Sequence, residues 1–288
     1  MKYAYYNSCS LRSTGKEYNN SLQHVFKALD IELEEPKNWV CCGSTLAHNT
    51  SVLLAETLPL KNLAEIEKMG LDEVVVPCTA CYNRFKVAQF EDENDSRIKP
   101  EIEEIIEHQF KKDIAVLHPL EILARDEHLA KLKSMVKRDL SHLKVVCYYG
   151  CLLVRPHKAT GFKDNPENPV TMDRILKAVG IQTLEWSHKV DCCGGSLSIT
   201  RPDVVLNLTS RILDDAQAVG AMAVAVPCTF CQLNLDVRQE ELANNGKKYD
   251  MPIYYFTELV ALALGIPEKE LMLGKHFVEA EKVLVRTA

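Results

Sequence analysis

The sequence predicts an α/β protein of two pseudo-symmetric halves, each a parallel sheet with helices on both faces. Two observations predict it. Short apolar segments of strand length alternate with longer stretches of helical spacing, an order that gives parallel sheets covered on both sides. That order then runs a second time. Val74-Val75-Val76-Pro77-Cys78-Thr79-Ala80-Cys81 returns as Val224-Ala225-Val226-Pro227-Cys228-Thr229-Phe230-Cys231. Tyr5-Tyr6-Asn7-Ser8-Cys9 is echoed by Tyr148-Tyr149-Gly150-Cys151, and Ile114–Leu123 by Ile253–Leu262. Self-similarity at this period means two copies of one fold unit. The division falls near Ser141-His142, giving two Rossmann-like half-domains over residues 1–141 and 142–288.

The first half opens with a strand over Lys2–Tyr6 and a helix over Tyr18–Leu29, whose apolar positions Leu22, Val25, Phe26 and Leu29 follow helical spacing. A short segment around Ile31–Glu34 leads to a Cys-Cys-Gly turn at Cys41-Cys42-Gly43. A long helix over Ser51–Met69 is stopped by Gly70 as a C-cap, and Val74–Val76 is a buried strand leading into a further helix. The second half repeats the plan. It has a strand at Lys144–Tyr149, a helix at Pro169–Val179, Cys192-Cys193-Gly194, a helix at Val204–Val219 ended by Gly220, and a strand at Ala223–Val226. The charged stretch Glu91–His142 reads as peripheral helices and the connection between halves.

At 288 residues, 47% hydrophobic and 26% charged, the chain has the makings of a full core. A net charge of −6 gives no electrostatic case for nucleic acid. The longest apolar runs, Ala218–Val226 and Leu259–Ile266, fall well short of the roughly 18–20 residues that span a bilayer. The N-terminus begins directly as a strand without the layout of a signal peptide, so a cytoplasmic location is expected. Eleven cysteines in a reducing compartment point to metal ligation, redox chemistry or plain burial rather than to a disulfide framework.

Ten of those cysteines form two matched quintets: Cys9, Cys41, Cys42, Cys78 and Cys81, then Cys151, Cys192, Cys193, Cys228 and Cys231. The eleventh, Cys147, stands where the first half has Tyr5 and is expected to be a core or supporting thiol. Every quintet member is expected just past a strand end or in the loop before a helix. Ligands bind at that edge of an open parallel sheet, and helix N-termini there favour an anionic assembly. A structural zinc takes four ligands and a cubane iron–sulfur cluster four cysteines. Five per half, counted alike twice, favour a multinuclear cluster, with zinc left open because thiolate suits both metals.

The doubled Cys, Cys-Cys-Gly, Cys-x-x-Cys arrangement resembles the cysteine-rich CCG-domain family, and in length and in both intact motifs it resembles the heterodisulfide reductase B subunits within it. The resemblance implies that each quintet binds one noncubane 4Fe-4S cluster. The two clusters would face each other across the interface and reductively cleave a disulfide, CoM-S-S-CoB or a related heterodisulfide, by iron-assisted homolysis. The clusters themselves would then be catalytic, with no separate side chain assigned. It also implies partners, a ferredoxin-like C subunit and a flavin-containing A subunit, since the chain has no nucleotide fingerprint of its own. Arg12 and Arg155, close after Cys9 and Cys151, are candidates to bind anionic groups of the substrate. His48, His157 and His188 are candidate proton donors, Gly43, Gly194 and Gly195 are expected to let backbone approach the cluster, and Pro77 and Pro227 to shape the strand ends.

Three competing readings remain. The fold unit also occurs in quinone-reducing CCG subunits of succinate dehydrogenase-type complexes and in organic-acid oxidising complexes. A scaffold holding two structural zincs would lack iron and sulfide. A pure electron relay would titrate without consuming a disulfide.

Overall fold

Eight short strands form two four-stranded sheets in the computed structural model, which describes residues 1–44, 47–94 and 98–285. The first sheet holds β1 (Lys2–Tyr5), β2 (Glu32–Glu34), β3 (Glu73–Val75) and β4 (Ala115–Leu117) in the order β2-β1-β3-β4. The second holds β5 (Lys144–Cys147), β6 (Gln182–Leu184), β7 (Ala223–Val226) and β8 (Ile253–Tyr255) in the same order, β6-β5-β7-β8. Every pairing is parallel. The central strands are apolar throughout because both faces are covered: all four residues of β7 are buried.

The edge strands β2 and β6 were legible only weakly. β2 reads Glu-Leu-Glu, with Lys2 of β1 paired to both of its glutamates, and β6 reads Gln-Thr-Leu. Polar residues suit an edge that must not pair further, and they hide the strand from a search for apolar runs. The stretch Glu91–His142 is not wholly peripheral, since it supplies β4 and the Pro119–Leu123 helix that follows.

Helix ends lie within a few residues of their expected places. The first helix is Lys16–Ala28, the long helices are Val52–Lys68 and Pro202–Ala218, and the expected 169–179 helix is Thr171–Ala178. Gly70 and Gly220 each take a φ of +77° just beyond their helices, a conformation that costs glycine little.

The halves join by exchanging helices. Lys16–Ala28 packs against Phe256–Ala263 of the second half, and Thr171–Ala178 packs against Pro119–Leu123 of the first. At the first of these contacts Tyr18 stacks on Tyr255 with centroids 4.5 Å apart, and the Ser21 and Thr257 hydroxyls lie 2.7 Å apart. Nearby, Asn83 Nδ2 donates to the carbonyls of Leu152 (2.9 Å) and Arg155 (2.7 Å).

A further link is made by His118, which binds one strand exit from each half. His118 Nδ1 accepts from the Leu120 amide (3.2 Å), which leaves the proton on Nε2. That nitrogen reaches the carbonyls of both Pro77 (3.0 Å) and Pro227 (3.3 Å). Burial pushes the His118 ring down to about 3, so it is neutral. Thr79 Oγ1 adds a bond to the Pro227 carbonyl at 3.0 Å. Sequence reading passed over His118 because the two carbonyls it spans lie 41 and 109 residues away.

Gly15 is part of the same seam. Its φ of −119° suits any residue, but a Cβ there would lie 2.6 Å from Thr229 Cγ2. Gly15→Ala is therefore expected to cost about 1–3 kcal/mol by overpacking. Adding Thr229→Ser, which removes the opposing methyl, should return most of it. Chemical unfolding of the single and double variants measures both terms.

Candidate metal centres

Strand order reverses between β1 and β3, and again between β5 and β7, so a crevice opens at the carboxyl ends of those strands. Cys9 lies in the turn after β1, Cys41 and Cys42 in the loop after β2, and Cys78 at the exit of β3. Cys81 departs from expectation: it sits inside the first turn of the Thr79–Asn94 helix, as Cys231 does in Thr229–Asn244. Cys-x-x-Cys here spans a helix start, so one sulfur comes from the loop and the other from a helical residue held rigidly.

The thiols of each quintet meet. Cys42 and Cys81 Sγ lie 3.0 Å apart, and Cys9 and Cys41, Cys41 and Cys42, and Cys78 and Cys81 shift one another's acidity. In the second half Cys193 and Cys231 Sγ lie 3.6 Å apart, with Cys151 joined to Cys192 and Cys228 to Cys231. All five second-half cysteines line one cavity of about 210 Å³. Among the described residues no three His, Cys, Asp or Glu side chains form a group able to hold a single metal ion. The sulfurs meet in pairs around a space instead. Cys9, Cys41 and Cys192 are exposed and Cys151 is half-buried, whereas the other six quintet members are buried, so each site has a solvent-facing lip and a closed floor.

Proton sharing among neighbouring thiols spreads their acidities. Cys78 is held down to about 6 by its hydrogen bond from Cys81, and Cys192 to about 6 by Cys151 and then by the Gly194 and Gly195 amides. Cys42 is likewise lowered by Cys41 and Cys81. Their donors Cys41, Cys81 and Cys151 are pushed up correspondingly.

The glycines act as backbone hinges. Gly43 (φ +74°) turns its amide onto Cys41 Sγ at 3.5 Å, and Gly194 (φ +77°) does the same to Cys192 at 3.3 Å. Gly195 has no such turn; a Cβ there would meet Phe230 at 3.1 Å. Gly150, unmarked by sequence reading, combines a φ of +71° with a Cβ position 3.0 Å from Cys231 Sγ.

Two tyrosines were also missed. Tyr6 Oη donates to the carbonyl of Val40 and Tyr148 Oη to that of Asp191, each at 2.6 Å. Val40 and Asp191 immediately precede the Cys-Cys pairs, so the phenols fix both loops in the same way. Burial and the surrounding cysteines raise both phenols far above their ordinary range, which keeps them as donors. The available signal was the tyrosine three residues before Cys9 and again before Cys151.

Other candidates are engaged elsewhere. Arg12 pairs with Glu35 over the Trp39 ring, and Arg155 pairs with Glu167 (2.8 Å) and bonds the Val190 carbonyl. Neither lines the cavity. His48 and His157 are exposed, and His188 bonds Asp191. Cys147 is fully buried in β5, with burial raising its thiol. Pro77 and Pro227 offer the two carbonyls that His118 spans.

The cysteine-rich domain family termed CCG matches this chain twice, over residues 3–86 and 145–236. The chain belongs to that family. Its CCG relatives include the 8-methylmenaquinol:fumarate reductase membrane anchor subunit of Wolinella succinogenes, 32% identical over 98% of this chain and 99% of that one. An Archaeoglobus profundus protein similar to the B subunit of heterodisulfide reductase is 26% identical over 93% of each chain. The B subunit of the ferredoxin/F(420)H(2)-dependent CoB-CoM heterodisulfide reductase of Methanosarcina acetivorans is 27% identical over 90% of this chain and 87% of its own. A hypothetical protein from Helicobacter pylori shares the fold, with a TM-score of 0.76 at 11% identity over 96% of this chain and 52% of that one.

The residues present fit an iron–sulfur cluster in each half of this CCG protein. The donor set is all thiol in both halves, the second-half sulfurs line a cavity, and in each half a glycine amide and a helix start lie at the cysteines.

Loss of either phenol anchor leaves a loop carbonyl without its donor. Tyr6→Phe or Tyr148→Phe should cost about 1–3 kcal/mol and speed alkylation of the exposed Cys41 or Cys192 in the metal-free chain. Mass-spectrometric labelling rates check it, and equal rates in variant and parent would remove the phenols from the account.

Proposed function

We propose that this chain is the iron–sulfur subunit of a heterodisulfide reductase-type complex, in which two noncubane 4Fe-4S clusters act together on one disulfide. In that reading Cys9, Cys41, Cys42, Cys78 and Cys81 hold one cluster, and Cys151, Cys192, Cys193, Cys228 and Cys231 the other. The observation that carries it is that residues flanking the first quintet reach the second across the seam between the halves. Cys78 Sγ lies 3.6 Å from Thr229 Oγ1 of the opposite half, and Ser44, Thr79 and Ala80 of the first half line the cavity of the second quintet. A molecule seated there touches both halves at once.

Reducing a disulfide to two thiols takes two electrons and two protons. When bound, the two clusters supply single electrons from either side of the S–S bond. The chain's own residues shape the space. Leu152, Phe230 and Ala80 form an apolar wall, and Ser44 and Ser196 add hydroxyl-bearing residues to the lining. Electrons would arrive through a ferredoxin-like C subunit and a flavin-containing A subunit. The two halves, 1–141 and 142–288, would then be functional units of equal standing.

A second reading is favoured by the Wolinella relative and by the cavity wall, which carries no Arg, Lys, Asp, Glu or His among its described lining residues. An uncharged pocket suits a quinone ring as well as the organic arms beside a disulfide. No helix among the described residues is long and apolar enough to cross a membrane, so a quinone-reactive chain would meet its substrate at the bilayer surface.

Anaerobic purification should give about eight irons and matching sulfide per chain. Cys81→Ala or Cys231→Ala should remove about half of each, because either change takes a ligand from only one cluster. Adding candidate disulfides to the reduced protein, in the absence of excess reductant, should then oxidise the clusters, release thiol and produce a new paramagnetic signal that a menaquinone analogue does not. The reverse pattern selects the quinone reading, and colourless protein holding zinc alone would sink both.

A further inference from the structure

The duplicated halves differ at a few matched positions, and the differences share one electrical sense. Arg84 stands three residues after Cys81, where the second half has Asn234 three residues after Cys231. Asn234 is a neutral donor to the Cys193 carbonyl (2.9 Å). Arg84 is half-buried; burial disfavours its charge and the Cys42 thiolate favours it, so the cation stands within electrostatic reach of the first quintet. Its guanidinium donates to Asn83 Oδ1 at 3.0 Å.

Hydroxyls follow the same asymmetry. Thr229 and Thr79 are equivalent residues, yet Thr229 Oγ1 lies 3.6 Å from Cys78 Sγ while Thr79 Oγ1 donates to the Pro227 carbonyl. A thiolate ligand can only accept, so Thr229 is the donor once Cys78 binds metal. Gly15 holds that orientation, because the Thr229 methyl occupies the space a Cβ would take. Ser10 also hydrogen-bonds Cys78, and its counterpart beside Cys151 is the apolar Leu152.

Resting on the two-cluster reading above, we infer that the first-half centre has the higher reduction potential, set by the Arg84 charge and the Thr229 hydroxyl donated across the seam. Reduction adds negative charge to a cluster, and both a nearby cation and a hydrogen bond to a ligand sulfur stabilise that charge. The Gly43 and Gly194 amides act alike in the two halves. The second half's further donors to Cys193, the Gly195 amide and Asn234, are matched by the Ser44 amide and hydroxyl at Cys42, which leaves Arg84 and Thr229 as the difference. Arg84 and Thr229 are positioning residues in this scheme, acting through ligand sulfurs.

The test is a redox titration of the anaerobically purified full chain, followed by electron paramagnetic resonance, with iron and sulfide counted in the same samples. Two resolved steps are expected. Arg84→Gln and Thr229→Val should each move the upper step to lower potential and leave the lower step in place. Arg84→Lys and Thr229→Ser, which keep the charge and the hydroxyl, should restore the parent value. A single step in the loaded parent, equal movement of both steps, or movement of the lower step alone overturns the inference while the two-cluster reading stands. Iron-free protein overturns both.

Discussion

Two carbonyls from different halves share the single N–H of His118, and the arrangement of the seam depends on that bond. Pro77 and Pro227 each precede the first cysteine of a Cys-x-x-Cys turn, so the bond ties the start of one such turn to the start of the other. The ring is buried and neutral, and its other nitrogen is taken by the Leu120 amide. A protonated ring would have to break that amide bond, which is why burial and geometry reinforce each other here. Parallel sheets alone would bring sulfurs to a common edge in each half. The His118 bond, with Thr79 to the Pro227 carbonyl and the Tyr18–Tyr255 stack, holds the two edges beside one another.

Much of this was legible in the residues. The duplication, the central strands and the long helices follow from patterns that repeat: Val74–Val76 and Ala223–Val226 are unmistakable because apolar strands covered on both faces need apolar side chains throughout. The edge strands were harder, since Glu32-Leu33-Glu34 and Gln182-Thr183-Leu184 satisfy solvent rather than core. The cysteine quintets were legible as sets because spacing repeats. Their supports were not. Tyr6, Tyr148 and Gly150 act through a carbonyl or through lack of a side chain, and such roles leave no mark in composition. His118 contacts two segments 41 and 109 residues away, a relation only folding reveals.

The two arginines show the limit of adjacency as an argument. Arg12 and Arg155 lie near their cysteines in sequence, yet each turns to a glutamate at the surface. Exposed ion pairs of this kind contribute little stability, but they do settle where the guanidinium points. Arg84, one helical turn after Cys81 in a helix that begins at the Cys-x-x-Cys, is the arginine whose charge the Cys42 thiolate favours.

A quintet of thiols gathered at a helix start is costly without a cation. The lowered Cys42, Cys78 and Cys192 and their raised neighbours mean that a metal-free site can share protons but cannot ionise fully, since each added thiolate repels the last. Metal binding removes that limit by neutralising the sulfurs as they lose protons, so loading releases protons and tightens the loops together. Glycine amides turned onto Cys41 and Cys192 are useful in both states, holding charge in the empty site and bonding to ligand sulfur in the filled one. Helix starts, phenol anchors and the His118 tie shape the cavity and its loops from the chain's own groups.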